Sequence, residues 1–327
     1  MTRLHYPVML PEVLSALSAS GGELYVDGTF GYGGYSEAIL QSANCELIGL
    51  DRDPSVAPRA AVLAKEYAPR FRLIETPFSK MAMLDLPPVD AVVLDIGVSS
   101  MQLDQAERGF SFMRSGPLDM RMGAAGPTAA MAVNQLGHGQ LASIFKMYGE
   151  ERQAGRIAAA ILRAREHGDI VTTDVLASLI ETTIGRGGKT HPATRVFQAL
   201  RIFINDELGE LYEGLCAAES LLKPGGRLIV VTFHSLEDRI VKSFFRRRSG
   251  EVKGGSRYMP EVVSGPPASF ELKARSAVKP SAAEVAENPR SRSAKLRCGV
   301  RTHAPAMSAD DAYLPKVPRL QDIRWAA

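Results

Sequence analysis

The sequence is poor in cysteine and has no long apolar run. Its three cysteines, Cys45, Cys216 and Cys298, lie far apart and form no CxxC pair. A disulfide framework or a cysteine-based zinc site is therefore not expected, and a reducing cytoplasm is the predicted compartment. The most apolar segment, residues 228–233, is far shorter than the roughly 18 residues that a membrane-spanning helix needs. The sequence thus predicts a protein without a membrane-spanning segment.

Acidic residues are scarce in the last quarter of the chain. The formal net charge of all 327 residues is only +3. Residues 1–238 hold 21 Lys and Arg against 28 Asp and Glu, a net charge of −7, whereas residues 239–327 hold 18 against 8, a net charge of +10. Such a basic segment either binds an anionic partner, for example nucleic acid, or is a solvated tail. Charge alone leaves both interpretations open.

Short apolar segments alternate with helical segments over the first hundred residues. The strand-like segments are residues 23–27, 46–50, 72–75 and 91–94, and the helix-like segments are residues 35–42 and 59–67. This order predicts an α/β fold with a mainly parallel sheet and helices on both faces. The strands lack polar alternation, which is typical of a sheet that is buried on both sides.

The alternation then gives way to helical periodicity. Apolar residues recur at helical spacing through residues 141–162, and Thr173 is a candidate N-cap for the next helix. A third helix is predicted from Val196 to about Glu213. We therefore predict a first part of an α/β domain at residues 1–103, an inserted all-helical domain at 104–195, and a second α/β part with a basic C-terminal segment at 196–327.

The α/β pattern returns after this insertion. Residues 223–227 (KPGGR) predict a tight turn, residues 228–233 an apolar strand, and residues 236–245 a helix. Residues 295–301 are predicted to form a last strand at the edge of the sheet. Residues 249–292 are rich in Gly, Pro, Ser and Ala, which predicts a partly mobile segment.

A glycine-rich turn, residues 28–34 (GTFGYGG) and here called the glycine loop, follows the first predicted strand. Glycine lets the backbone approach a ligand closely. The carboxyl end of the first strand in an open α/β sheet borders the crevice in which ligands bind. Asp51 ends the second predicted strand 20 residues beyond Gly31. An acid at that position typically accepts hydrogen bonds from ribose hydroxyls.

Three interpretations of the glycine loop compete. A dinucleotide site is disfavoured because a strict G-x-G-x-x-G is absent. A site for S-adenosylmethionine (SAM) fits the pattern acid-x-Gly-x-Gly-x-Gly at Asp27, Gly31 and Gly33, with Thr29 replacing the first glycine. A plain tight turn is the third interpretation. The later KPGGR turn resembles the turn before the fifth strand of SAM-dependent methyltransferases, and the two signals together favour methyl transfer.

Ten motifs in order along the chain resemble one known family. They are HYPVML (5–10), DGTFGYGG (27–34), DRDP (51–54), DIGVSSMQLD (95–104), RGFSF (108–112), GPLDMRM (116–122), YGEER (148–152), HPATR (191–195), FHSLEDR (233–239) and ENPR (287–290). Each motif is weak alone, but the ordered set resembles the ribosomal RNA small subunit methyltransferase H family over nearly the whole chain. The resemblance implies SAM-dependent methylation of the N4 amine of a cytidine in the decoding region of bacterial 16S rRNA, by direct in-line transfer.

The resemblance also implies a fold and a partner. The expected fold is a Rossmann-like SAM-dependent methyltransferase with an inserted all-helical domain that helps to recognise the substrate. The expected partner is 16S rRNA in the small ribosomal subunit, with no membrane, and a homodimer is left open. A methyltransferase of another substrate and a catalytically idle RNA-binding factor are the alternatives. The intact Asp27, Asp51 and glycines weigh against an idle scaffold.

The family's SAM contacts map onto seven positions of this chain, namely Gly33, Gly34, Tyr35, Asp51, Phe78, Asp95 and Gln102. The family commonly has His where this chain has Tyr35, so a backbone contact would survive the change and a side-chain contact would not. Asp95 is expected to bind the amino group of the cofactor or to assist the incoming base. No Pro-Pro pair follows Asp95, unlike in many amino-methyltransferases. No cysteine follows it either, which argues against a covalent thiol adduct.

Three residues are candidates for contacting the target base or accepting its proton, namely Asp119, His191 and His234. A structural role is an equal alternative for each histidine. No catalytic residue is assigned, and no metal is expected. The basic residues predicted to contact RNA phosphates are Arg114, Arg121, Arg195, Arg246, Arg247, Arg248, Arg290, Arg292, Lys295 and Arg297.

Overall fold

The chain forms two compact units, which consist of residues 1–97 with 209–314 and of residues 98–208 with 315–327. The computed structural model describes residues 7–123, 125–188, 191–250, 266–310, 314–317 and 319–325. The segment predicted as an insertion, residues 104–195, lies within the second unit, which extends beyond it on both sides. No helix in the described part of the chain is long and apolar enough to cross a membrane.

A seven-stranded sheet forms the centre of the first unit. Its strands are β1 (Leu24–Asp27), β2 (Glu46–Asp51), β3 (Phe71–Glu75), β4 (Val89–Asp95), β5 (Leu222–Thr232), β6 (Phe270–Glu271) and β7 (Lys295–Arg301). They lie in the order β3-β2-β1-β4-β5-β7-β6. Strands β1 to β5 are parallel, and β7 is antiparallel to both β5 and β6. This Rossmann-like arrangement confirms the predicted fold class.

Helices complete both units. The first unit contains α1 (Leu10–Leu17), α2 (Gly34–Ser42), α3 (Ala57–Glu66), α11 (Ser235–Arg248) and α12 (Ala282–Glu287). The second contains α4 (Ser100–Asp104), α5 (Ala129–Gln135), α6 (His138–Tyr148), α7 (Ala154–Arg165), α8 (Thr173–Ile184) and α9 (Ala193–Asn205). The chain passes from the second unit to the first along α10 (Glu207–Leu221). Of the segment predicted to be partly mobile, 249–292, residues 251–265 lie outside the described residues.

The central strands are buried on both faces. Every residue in 91–94 and in 228–231 is fully inaccessible to solvent. On one face these strands share a core with Val13 and Leu17 of α1 and Ile39 of α2. Consecutive burial requires consecutive apolar side chains, which explains why these strands lack polar alternation in the sequence.

Some predicted features of the elements were wrong. The single helix predicted over residues 196–213 is two helices, α9 and α10, because Asp206 between them adopts a left-handed conformation with φ 46°. A left-handed residue cannot continue a right-handed helix. Thr172 rather than Thr173 is the N-cap of α8. Strand β7 is not at the edge of the sheet, because β6 pairs with its outer side.

Arg248, at the end of α11, is fully buried together with its partner Glu219. The Nε of Arg248 donates to Glu219, and its guanidinium carbon lies 3.9 Å from the centroid of the Phe244 ring. The other carboxylate oxygen of Glu219 accepts hydrogen bonds from the Ser269 hydroxyl at 2.5 Å and the Met307 amide at 3.1 Å. Each buried charge is therefore compensated by the other. Through Ser269 and Met307 the network also attaches the C-terminal segment of the chain to Glu219 in α10 and Arg248 in α11.

We predict that Arg248→Met destabilises the protein by about 3–5 kcal/mol, because it leaves the buried Glu219 charge uncompensated. The matched control is Arg247→Met, which removes a half-exposed ion pair with Asp310 and should cost below about 1 kcal/mol. Urea unfolding of both variants measures the difference. Equal losses in the two variants would contradict the prediction.

Candidate cofactor and substrate site

Three strands of the sheet end in an aspartate. Strand β1 ends at Asp27, β2 at Asp51 and β4 at Asp95. Since β1 pairs in parallel with both β2 and β4, all three aspartates lie at the same edge of the sheet. Strands β2 and β3 lie on one side of β1, and β4 and β5 lie on the other, so the strand order reverses at β1. Open α/β sheets bind their ligands at such a switch point.

Hydrogen bonds attach the glycine loop to all three strand ends. The Gly31 amide donates to Oδ2 of Asp51 at 2.8 Å, and the Thr29 amide donates to Oδ1 of Asp27 at 3.2 Å. The Thr29 hydroxyl accepts a hydrogen bond from the Asp95 amide at 2.7 Å. Thr29 stands where the SAM pattern has glycine, and this bond gives the threonine a function that glycine could not perform.

Gly33 and Gly34 start helix α2. Gly33 is the N-cap and has φ 75°, a left-handed conformation that glycine adopts without steric cost. A Cβ on Gly34 would lie 2.4 Å from Cγ of Pro7, so the N-terminal segment packs directly against the loop backbone. The amides in the first turn of an α-helix have no intrahelical acceptor and are suited to binding an anion.

Tyr35, in the first turn of α2, has a buried side chain with 4% exposure. Its hydroxyl donates a hydrogen bond to the carbonyl of Val8. The side chain is therefore used to hold the N-terminal segment. A contact of Tyr35 with a cofactor stays a prediction.

The surroundings of Asp27 and Asp95 disfavour the ionised form of both carboxyl groups. Burial raises the pKa of Asp27 to about 6, although the Ser36 hydroxyl at 2.7 Å and the Thr29 amide both stabilise its charge. Burial, and then the charges of Asp27 and Glu237, raise the pKa of Asp95 well above its usual range. Within the described residues, the buried Oδ1 of Asp95 has no hydrogen-bond partner. A positively charged ligand group would satisfy this atom and stabilise both carboxylates.

Asp51 is positioned to accept a further hydrogen bond. Its Oδ1 accepts from the Asp53 amide at 2.8 Å, and its Oδ2 accepts from the Gly31 amide. The Arg52 backbone contributes a third hydrogen bond. A carboxylate has about four lone-pair sites, so Asp51 retains the capacity to accept one more. Burial raises the pKa of this carboxyl as well.

Phe78 borders the glycine loop. It follows β3 and begins a 3₁₀ helix, Phe78–Met83. A Cβ on Gly28 would lie 3.2 Å from the Phe78 Cβ, and a Cβ on Gly214 of α10 would lie 2.3 Å from its ring. Glycine at position 214 therefore makes room for this half-buried ring, and a larger residue there would displace it.

Gln102, Asp119 and His191 lie in the second unit, whereas the other predicted site residues lie in the first. Gln102 is buried and forms a capping box at the start of α4. Its Oε1 accepts from the Ser99 amide at 3.0 Å, and the Ser99 hydroxyl accepts from the Gln102 amide at 3.2 Å. Its contact with a cofactor stays a prediction.

Asp119 forms a two-point ion pair with Arg121, with distances of 2.7 Å to Nη2 and 2.9 Å to Nε. Burial opposes ionisation of Asp119, but the hydrogen bonds from Arg121 outweigh it and lower its pKa. Asp119 therefore stays ionised and is poorly suited to accepting a proton at neutral pH. Its contact with a target base stays a prediction.

Both candidate histidines support helix starts. Nδ1 of His191 accepts from the Ala193 amide at 3.1 Å at the start of α9. His234 is the N-cap of α11, where its Nδ1 accepts from the Glu237 amide at 3.4 Å. The Glu237 carboxylate in return accepts from the His234 amide at 3.1 Å. Each histidine thus has a structural role, and a role in substrate binding stays a prediction for both.

The basic residues predicted to contact RNA differ in accessibility. The prediction was wrong for Arg248, because a fully buried side chain cannot reach a phosphate. Lys295 and Arg297 share Asp238, at 2.7 and 2.8 Å, and Arg247 is paired with an acid of the C-terminal segment. Charge counts in the sequence therefore overestimate the number of cations that are available to a partner.

Sequence analysis missed two residues at this edge of the sheet, Glu237 and Ser36. Glu237 could have been found, since it stands three residues after the N-cap, as in a capping box. Ser36 has none, because its contact with Asp27 depends on how α2 docks on the sheet. Such contacts follow from the fold rather than from local spacing.

Known proteins resemble this chain over nearly its whole length. The sequence model of the MraW methylase family matches residues 2–302. A protein of Maricaulis maris is 60% identical over 93% of both chains, and one of Caulobacter vibrioides is 57% identical over 93% of this chain and 98% of its own. One of Brucella suis is 51% identical over 98% of this chain and 94% of its own. All three are named ribosomal RNA small subunit methyltransferase H. These matches confirm the resemblance carried by the ordered motifs, and the chain belongs to the MraW methylase family of methyltransferases.

Proposed function

We propose that this methyltransferase transfers a methyl group from SAM to the N4 amine of a cytidine in the decoding region of bacterial 16S rRNA, in the cytoplasm. The observation that carries the proposal is the glycine loop held between three strand-end aspartates, which suits a cationic ligand with a ribose. The names of the relatives support ribosomal RNA as the substrate. The choice of cytidine N4 rests on the resemblance of the ten motifs.

The first unit offers a partner for each end of the cofactor. Asp51 accepts a hydrogen bond from a ribose hydroxyl. The amides of Gly34 and Tyr35, preceded by the flexible Gly33, bind the carboxylate of the methionine part. The unpartnered Oδ1 of Asp95 accepts from its ammonium group. Because Tyr35 acts through its amide, tyrosine replaces the family's common histidine without loss of this contact.

The resemblance implies two further contacts with the cofactor. The ring of Phe78 covers one face of the adenine, next to the start of the glycine loop. The amide of Gln102 supplies a donor and an acceptor. The positions of Phe78 and Asp51, after β3 and β2, match the expected path of the cofactor along the edge of the sheet.

The chemistry requires positioning more than covalent catalysis. SAM supplies a methyl group on a sulfonium, which is a good leaving group. The protein has to hold the N4 atom in line with the methyl carbon and sulfur. No cysteine lies in the segment DIGVSS, residues 95–100, so a direct displacement fits better than a covalent enzyme adduct. The proton of the amine leaves to a nearby base or to water. Asp95 is the carboxylate that this segment supplies.

The second unit is proposed to recognise the rRNA around the target. A cytidine in structured RNA has to leave its stack to reach a buried site. Asp119, His191 and the half-exposed Arg195 are the proposed contacts in this unit. Hydrogen bonds within the protein hold Asp119 and His191 in fixed geometry, which lowers the entropy cost of binding RNA. Arg195 lies 3.9 Å from the Glu151 carboxylate.

We expect the purified protein to form N4-methylcytidine in small ribosomal subunits from a strain that lacks this enzyme, with labelled SAM as donor. Mass spectrometry of the nucleosides identifies the product and its position. Label in ribosomal protein, or in a different nucleoside, with SAM binding intact would refute the proposed substrate.

Asp51→Ala is expected to weaken SAM binding by about 10- to 100-fold, the loss of about 1.5–3 kcal/mol that hydrogen bonds to a charged group contribute. Glu75→Ala, an exposed acid at the end of the neighbouring strand β3, is the matched control and should bind SAM normally. Titration calorimetry measures both. Unchanged binding by Asp51→Ala would refute its assignment to the ribose.

SAM binding is expected to release protons and to tighten as the pH rises through about 6. In the free protein burial raises the pKa of Asp27 to about 6, so a cationic ligand favours its ionised form and displaces a proton. Calorimetry at pH about 6 in two buffers of different ionisation enthalpy counts the released protons. Asp27→Asn should reduce this number and Glu75→Gln should not. Equal proton release in both variants would contradict the prediction.

A further inference from the structure

The exposed side of α11 carries positive charge only. Its exposed residues are Ser235, Arg239, Lys242, Arg246 and Arg247, whereas its two acids, Glu237 and Asp238, are buried. Arg239, Lys242 and Arg246 are spaced by three and four residues, so they follow one another along one side of the helix. We call these three residues the α11 basic track.

Helix stability does not explain the α11 basic track. Arg246 in the last turn is favoured by the negative pole of the helix dipole, but Arg239 lies in the second turn, near the positive pole. The pairs Arg239–Lys242 and Lys242–Arg246 place like charges at spacings that destabilise a helix. Repulsion between these like charges gives the helix no stability.

Helix α3 of the first unit has a different charge arrangement. Its half-buried Arg59 forms an ion pair with Glu37 at 2.6 Å, and its exposed residues include both Lys65 and Glu66. A surface of mixed charge is the usual arrangement of a soluble protein. The exposed side of α11 therefore differs from that of α3.

The α11 basic track starts beside the proposed methyl-transfer site. Strand β5, which leads into α11, pairs with β4 so that Val231 lies opposite Asp95. With a rise of 1.5 Å per residue, the track extends from about 6 to about 17 Å beyond Ser235 along the helix axis. Asp238, on the adjoining side of the helix, is shared by Lys295 and Arg297, so this side has no net negative charge.

We propose that the α11 basic track binds the phosphate backbone of the substrate RNA as it leaves the methyl-transfer site. The proposal rests on the proposed function, because it takes rRNA as the substrate. Cations at successive turns neutralise successive phosphates without reading the bases. The track therefore supplies affinity and register, while base selection belongs to the site.

The test compares the double variant Lys242→Ala/Arg246→Ala with the control Lys65→Ala/Arg72→Ala, which removes two exposed cations elsewhere in the same unit. A 16S rRNA fragment containing the decoding region is titrated at several salt concentrations. The track variant should bind about tenfold more weakly, and its salt slope should fall by about 2, one for each lost phosphate contact. Its KM for small subunits should rise, whereas kcat and SAM affinity stay unchanged.

Charge reversal, Lys242→Glu/Arg246→Glu, should cause a larger loss than the alanine pair, at an unchanged unfolding temperature. RNA affinity and salt slope equal to those of the control would overturn the proposal. A wild-type chain that forms no N4-methylcytidine would refute the proposed function, which is measured in the same experiment. Wild-type methylation combined with control-like variants would refute the α11 proposal alone.

Discussion

The hydrogen bond from the Gly31 amide to the Asp51 carboxylate is the constraint on which the cofactor edge of the sheet depends. It joins the loop after β1 to the end of β2 and leaves Asp51 with the capacity to accept from a ligand. Asp51 therefore supports the loop, and in the proposed site it also binds the cofactor. Thr29 and Asp27 extend the same connection to β4 and α2, so that the site consists largely of backbone held by buried carboxylates. Gly31 and Gly33 of this loop have positive φ, a conformation in which most other residues would be strained.

Much of the fold follows from the sequence because buried parallel strands need uninterrupted apolar segments. The four N-terminal strands were predicted within two residues of their observed bounds, whereas β5 begins at Leu222, six residues before its predicted start, and includes residues 223–227, which were predicted as a turn. The errors occur where the backbone conformation or the strand pairing is not encoded in the apolar pattern. Asp206 ends a helix through its left-handed backbone conformation, although apolar residues recur at helical spacing on both sides of it. Strand β7 lies inside the sheet only because β6, two residues long, pairs with its outer side.

In the candidate site, too, the sequence predicts some features and misses those that depend on tertiary contacts. Asp27, Asp51 and Asp95 are visible in the sequence since each ends an apolar strand, and parallel strands bring their ends together. The direction of the Tyr35 side chain and the burial of Arg248 are not visible, because each depends on a partner far away in sequence, Val8 and Glu219 respectively. Residue type predicts that a charge exists, and only tertiary structure shows whether solvent or a partner can reach it.

The antiparallel pairing of β5 with β7 has a consequence during synthesis. Residues 227–232 of β5 pair with residues 295–300, so this strongly apolar strand keeps an open backbone edge until the last strand leaves the ribosome. At about 5–20 residues per second, the intervening 60-odd residues take roughly 3–14 s to translate. Throughout that interval the edge can pair with other chains. The nascent enzyme thus completes its central sheet only after residues 295–301 have been made.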